Sequence, residues 1–176
     1  MKTRIVLATA AALIFTARVA AFAASPGSPQ KTTFNVSSDV VANCTIITAA
    51  NLNFGNYDPV VANKTTALDV NTDVTVLCTK GASGVNVGLD AGTHSSGGNR
   101  FMADAVSGDT LQYELYSDAP GGTVWGNSGA GLVSWPVFGP IGAGTGVSHT
   151  IYGRVPAGQD KSVGHYTDVV TVAVNF

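Results

Sequence analysis

From residue 32 to residue 176 the chain keeps returning to one pattern, in which apolar and polar side chains alternate until Gly, Pro, Asn or Ser interrupts them. Alternation with a period of two turns one side chain toward a core and the next toward water, the signature of a half-buried β-strand. Phe34, Val36 and Val40 share a parity with Thr32 and Ser38, while Asn35, Ser37 and Asp39 take the other. Asn43-Cys44-Thr45-Ile46 and Leu52-Asn53-Phe54-Gly55 follow. Val74, Val76 and Cys78 fall on one face, which directs Cys78 inward. Val85, Val87 and Leu89 form a further stripe that ends at Asp90-Ala91-Gly92, and His94 to Asn99 reads as a Ser/Gly-rich loop tip. Leu111, Tyr113 and Leu115 alternate with Gln112, Glu114 and Tyr116, and Val147 to Val155 is stopped by Pro156-Ala157-Gly158. In the last and clearest run, Tyr166, Val170, Val172, Val174 and Phe176 face one way and Thr167, Thr171 and Asn175 the other. Asp168 interrupts the apolar face near the start of that run.

The pattern predicts roughly seven or eight short strands joined by tight turns, and no helix beyond the leader. Composition agrees: charged residues make up 11% and glycines number 21, a balance poor in helix formers and rich in turn formers. Short strands with frequent turns suit an antiparallel β-sandwich of two sheets, with a closed barrel as the alternative.

The first 23 residues stand apart. Lys2 and Arg4 precede an apolar run from Ile5 to Ala17, and Ala21-Phe22-Ala23 offers small residues around a cleavable bond. That is the layout of a secretory signal peptide over 1–23, although Arg18 is unusual so close to the cut. An amphipathic or buried N-terminal helix is the other reading. The apolar run is shorter than the roughly 20 residues of a membrane span. Cleavage after Ala23 implies export. Residues 24–31, Ala-Ser-Pro-Gly-Ser-Pro-Gln-Lys, are linker chemistry, so 24–41 reads as an N-terminal extension and 42–176 as one folded domain.

An exported chain with two cysteines, Cys44 and Cys78, most simply forms one disulfide. A metal pair would need two more ligands, and His94, His149 and His165 stand at no recognisable ligand spacing from either cysteine. Net charge is −2 with no basic cluster, which leaves no electrostatic footprint for nucleic acid. Catalytic signatures are lacking too. Gly126-Asn127-Ser128-Gly129-Ala130 fails as a nucleophile elbow at its last position, and Asp90, Asp104, Asp109 and Asp118 sit among turns, where Asp is expected for backbone reasons. The reading is not an enzyme, with no cofactor.

Five phrases in order carry a family resemblance. Asn43-Cys44-Thr45-Ile46 with Leu52-Asn53-Phe54-Gly55-Asn56-Tyr57-Asp58-Pro59 resembles the opening of the spore coat protein U domain, which also forms the subunits of archaic (Csu-type) chaperone–usher pili. Val76-Leu77-Cys78-Thr79-Lys80-Gly81 is similar to its second cysteine strand. Tyr113-Glu114-Leu115-Tyr116-Ser117-Asp118 with Thr123-Val124-Trp125-Gly126 resembles its central phrase. Tyr152-Gly153-Arg154-Val155-Pro156-Ala157-Gly158-Gln159 and Gly164-His165-Tyr166-Thr167-Asp168 through Phe176 resemble its closing pair.

The resemblance implies an all-β, incomplete immunoglobulin-like antiparallel β-sandwich, short of its last strand and completed by a donated one. It implies a structural pilus subunit that polymerises by donor-strand exchange and supports adhesion or biofilm formation. Its expected partners are a periplasmic chaperone, an outer-membrane usher and neighbouring pilin subunits, along an export route to the surface of a Gram-negative bacterium. Carried onto this chain, the donor positions fall on Thr32, Phe34, Val36, Ser38 and Val40. The acceptor and chaperone-binding strand falls on Val170, Val172, Val174 and Phe176, and Phe176 closes the chain where a following strand is expected. The rival expectation is a monomeric secreted coat or carbohydrate-binding sandwich that fills its own groove, with Tyr57, Tyr116, Trp125, Trp135 and Tyr152 as a stacking face.

Overall fold

The computed structural model describes residue 27 and residues 29–139 and 146–176. The signal-peptide reading over 1–23 lies outside the described residues. The chain divides into two units, Met1–Ser38 and Asp39–Phe176. The described residues of the first carry no strand, and Phe34 and Val36 are 83% and 84% exposed.

Nine strands are present among the described residues: β1 (Cys44–Ala49), β2 (Leu68–Cys78), β3 (Asn86–Leu89), β4 (Arg100–Asp104), β5 (Thr110–Tyr116), β6 (Val133–Ser134), β7 (Val147–Val155), β8 (Tyr166–Thr167) and β9 (Val172–Asn175). One 3-10 turn, Gly129–Gly131, is the sole helical element there. All pairings are antiparallel. The strands form a six-stranded sheet in the order β1-β2-β7-β5-β4-β8 and a three-stranded sheet in the order β6-β3-β9. The architecture is therefore an open sandwich, not a closed barrel.

The core follows from the alternation. Val74, Val76 and Cys78 of β2, Val87 and Leu89 of β3, Leu111, Tyr113 and Leu115 of β5, and Ile151 and Val155 of β7 are buried. Trp125, Trp135 and Phe138 join them from the segments between strands. Each indole N–H finds a carbonyl: Trp125 Nε1 donates to Val87 at 2.9 Å and Trp135 Nε1 to Val147 at 3.1 Å. A buried indole needs such a partner, because an unmatched donor in a core costs about 1–3 kcal/mol. Both tryptophans are thus core residues and do not serve as a stacking face. Tyr57 is also engaged internally, donating to the Pro156 carbonyl at 2.8 Å and accepting the Gln159 N–H at 2.9 Å.

Three expectations are corrected. Leu52 to Gly55 forms no strand; Leu52 and Phe54 instead drop onto the core above Gly153. A Cβ at Gly153 would lie 2.4 Å from Leu52 Cδ2 and 2.9 Å from Phe54 Cζ, so any larger residue would make both side chains shift. The run Tyr166 to Phe176 is not one strand but two, β8 in the large sheet and β9 in the small one. The alternating run Phe34 to Val40 is neither paired nor half-buried, and Val40 is 84% exposed.

Candidate functional site: a groove between two sheet edges

The break between β8 and β9 is made by hydrogen bonding. The Asp168 side chain, 3% exposed, accepts bonds from the Thr93 N–H and hydroxyl at 2.9 and 2.7 Å and from the His94 N–H at 3.2 Å. It also takes the Tyr113 hydroxyl at 2.7 Å and pairs with His94 Nδ1 at 2.9 Å. Burial by itself would raise the Asp168 pKa. Hydrogen bonds from Thr93, Tyr113 and His94 outweigh it and hold the carboxyl below the ordinary carboxylate range. Burial, and then the Asp168 hydrogen bond and charge, push the Tyr113 phenol upward. Gly92 sits at φ +82°, and any Cβ there would fall 1.9 Å from Asp168 Oδ2, so the cradle admits only glycine.

Three residues on, the chain has crossed to the other sheet. The Asp90 N–H donates to the Thr171 carbonyl at 3.0 Å, and the Thr171 N–H returns to Asp90 Oδ1 at 2.9 Å. The register continues as Gly88 opposite Ala173 and Asn86 opposite Asn175. Leu89 instead donates its N–H to Gly126, away from β9. Along an antiparallel pair, bonded and non-bonded positions alternate. Thr171, Ala173 and Asn175 therefore face β3 with their backbone groups, and Val170, Val172 and Val174 direct theirs to the opposite edge, which has no strand partner among the described residues.

That edge faces an opening. β9 is one outer strand of the small sheet and β1 one outer strand of the large one. Where β1 ends and β9 begins lies a cavity of about 570 Å³ that reaches the inner faces of both sheets, lined by Ala49, Leu52, Phe54, Leu89, Met102, Leu115, Ile151, Val170 and Val172, with Asn51, Asn53 and Thr72 among them. Its walls are predominantly apolar, with Tyr113 and Asp168 at one side. Of the four expected acceptor residues, Val170 and Val172 line the cavity and Val174 packs on the core, while Phe176 is 58% exposed.

The other lip is fixed covalently. Cys44 and Cys78 stand opposite each other in the β1–β2 register and form a disulfide, with Cα atoms 4.1 Å apart. Beside it, Thr79 donates its N–H to the Asn43 carbonyl at 2.9 Å. Its hydroxyl accepts the Asn43 N–H at 3.1 Å and donates to the Val41 carbonyl at 3.2 Å.

Buried Arg100 went unnoticed in the sequence. Its guanidinium donates to the carbonyls of Leu89, Asp90 and Trp125 and pairs with Glu114, tying β4 and β5 to the end of β3. No apolar stripe announces β4, because Arg100 and Asp104 occupy its inward positions. Among the described residues no group of three His, Cys, Asp or Glu could hold a metal ion, and no helix is long and apolar enough to cross a membrane. The candidate site is a shape: an apolar slot with an unpaired backbone edge along one side.

Comparison with known proteins gives three findings. Residues 30–173 match the Spore Coat Protein U domain family. "Protein U" of Myxococcus xanthus is 34% identical over 188 residues, an alignment covering all of this chain and 98% of that protein. The fold is similar to a chain in the crystal structure of the CsuC–CsuE chaperone–tip adhesion subunit pre-assembly complex from archaic chaperone-usher Csu pili of Acinetobacter baumannii. There the TM-score is 0.56 at 24% identity, with 78% of this chain covered. This chain spans 40% of the length of the chain it matches there.

Proposed function

The chain belongs to the Spore Coat Protein U domain family, and from that premise we propose that it is a structural subunit of a chaperone–usher pilus, polymerising by strand donation. In this reading residues 32–40 of one copy enter the groove of the next. The observation that carries it is an apolar cavity where the end of β1 meets the start of β9, with Val170 and Val172 in its lining and the side of β9 away from β3 without a strand partner among the described residues.

The physics of such a joint is edge addition: main-chain hydrogen bonds supply adhesion, and alternate side chains fill pockets. Phe34, Val36 and Val40, exposed here, supply the apolar row. Burying them at about 1.5–3 kcal/mol each contributes roughly 5–9 kcal/mol per joint before ordering costs. Thr32 and Ser38 share their parity and add little apolar area.

An open apolar edge is also an aggregation hazard. A periplasmic chaperone that covers the groove until a donor replaces it, at an outer-membrane usher, answers that hazard. The similar Acinetobacter baumannii chain comes from a chaperone–subunit pre-assembly complex, which supports that partner. The route is export through the periplasm of a Gram-negative cell to its surface, where a fibre of such subunits supports adhesion or biofilm formation.

The test is electrophoresis of the secreted protein without boiling. Strand-exchanged fibres give a ladder that survives mild denaturant and collapses on boiling. A single band at monomer size with residues 32–40 protected from hydrogen exchange would favour a self-filled, monomeric domain.

A further inference from the structure

Strand donation leaves one question open on any single chain: what prevents the arm from filling its own groove? The answer lies in residues 39–43, which belong to the larger unit. β1 starts at the disulfide end of the sandwich, and β9 runs toward that same end, because Asn175 pairs with Asn86 at the start of β3. An arm folding back into its own groove would lie alongside β1 in the opposite direction. It would therefore have to reverse within residues 40–43, as a hairpin does.

Two independent features oppose that reversal. The first is Thr79. Its N–H donates to the Asn43 carbonyl at 2.9 Å, and its hydroxyl accepts the Asn43 N–H and donates to the Val41 carbonyl. With the Asn43 carbonyl on the Thr79 N–H and the Asn43 N–H and Val41 carbonyl both on its hydroxyl, one residue holds the backbone from Val41 to Asn43 beside the start of β1. The disulfide next to Thr79 fixes the strand pair to which these residues are held. The second is composition. Two-residue hairpin turns demand φ > 0 and favour Asn-Gly or Asp-Gly. The segment here is Val40-Val41-Ala42, and among the described residues no non-glycine residue has positive φ.

We infer that Thr79 is a positioning residue that opposes the reversal within residues 40–43 that self-filling would need, so that the groove is left for a second copy of the chain. This rests on the strand-donation reading, and it adds how the chain selects trans over cis.

The experiment compares the full-length protein with Thr79→Val, which keeps shape and strand propensity but removes the hydroxyl, and with Thr79→Ser, which restores it. Unboiled gels give the monomer-to-ladder ratio, and hydrogen exchange on the monomer fraction reports the arm. Thr79→Val raises the monomer fraction roughly three- to tenfold, the range expected for loss of one such hydrogen-bonded group. That monomer shows protection over residues 32–40, and Thr79→Ser returns to the wild-type ratio. An unchanged ratio in Thr79→Val, or extra monomer with an unprotected arm, overturns the inference. A synthetic peptide carrying residues 31–41, added to the wild-type chain, separates the two levels. The reading requires it to cap chains and shorten the ladder. If it does so while Thr79→Val behaves as wild type, the positioning role alone is wrong. If it has no effect, strand donation itself fails.

Discussion

The Tyr113 hydroxyl donates a 2.7 Å hydrogen bond to the Asp168 carboxylate, joining the middle of the large sheet to the residue at which the chain leaves that sheet for the small one. Asp168 is the pivot of the groove. Its bonds to Thr93, His94 and Tyr113 stop β8, turn the chain, and allow β9 to start on the other sheet with one edge unpaired.

Replacing Asp168 with Asn removes the charge and leaves several donors facing an amide. We expect a loss of about 1–3 kcal/mol near neutral pH. The pH dependence carries a sign. The folded-state pKa of Asp168 is depressed, so its contribution is present above the unfolded value of about 3.9 and fades as pH falls through the folded value. The stability gap between wild type and D168N should narrow as pH drops below about 4. Urea melts at several pH values check this; a gap independent of pH would show that the ionised carboxylate is not what matters.

Cys44 and Cys78 close a loop with a sequence separation of 34. Loop-closure entropy assigns roughly 4 kcal/mol to such a cross-link. The double serine variant should melt on the order of 10 °C lower for a domain of this size, with reduced periplasmic yield. Calorimetry with and without reductant provides the measurement.

Arg100 anchors three carbonyls and pairs with Glu114 in the interior. Arg100→Ala leaves Glu114 and those carbonyls unmatched, at a cost of about 3–5 kcal/mol. Arg100→Met together with Glu114→Gln should recover part of the loss. Denaturant melts of the single and double variants report the difference.

Phe34 is the largest apolar side chain on the arm. If it fills a neighbour's pocket, Phe34→Ala weakens each joint by about 2–3 kcal/mol and leaves the domain's own melting unchanged. Asn35→Ala, of opposite parity, should leave the joints as they are. The denaturant concentration at which the unboiled ladder disappears reads both.

Much of the fold was legible from alternation alone. β2, β5 and β7 carry long stripes whose inward residues, Val74, Leu111 and Ile151 among them, are buried. β4 escaped notice because its inward positions hold Arg100 and Asp104, so its pattern reads as turn chemistry. The aspartates placed among turns do bind backbone there: Asp104 accepts from the Ser107 N–H at 2.7 Å and Asp118 from the Thr123 N–H at 2.8 Å.

The groove was less legible, for a physical reason. A strand at an open edge and one in a sheet centre share the same alternation, since pairing is a property of backbone groups and leaves no mark on side-chain period. Asp168 was visible as an interruption of the last apolar run, but its partners Thr93, His94 and Tyr113 lie 55 or more positions away. No local pattern could show that the interruption is a change of sheet.

The central claim, that residues 32–40 of one chain complete the sandwich of another, is tested most directly by complementation between two disabled chains. One carries Val172→Arg, which blocks its groove. The other carries Phe34→Asp and Val36→Asp, which disable its arm. Neither should polymerise alone. Mixed during assembly, they should yield a single denaturant-resistant heterodimer, with the arm of the first protected from exchange in the groove of the second. Two unlinked monomers in the mixture, with the arm of the first left unprotected from exchange, would contradict the account.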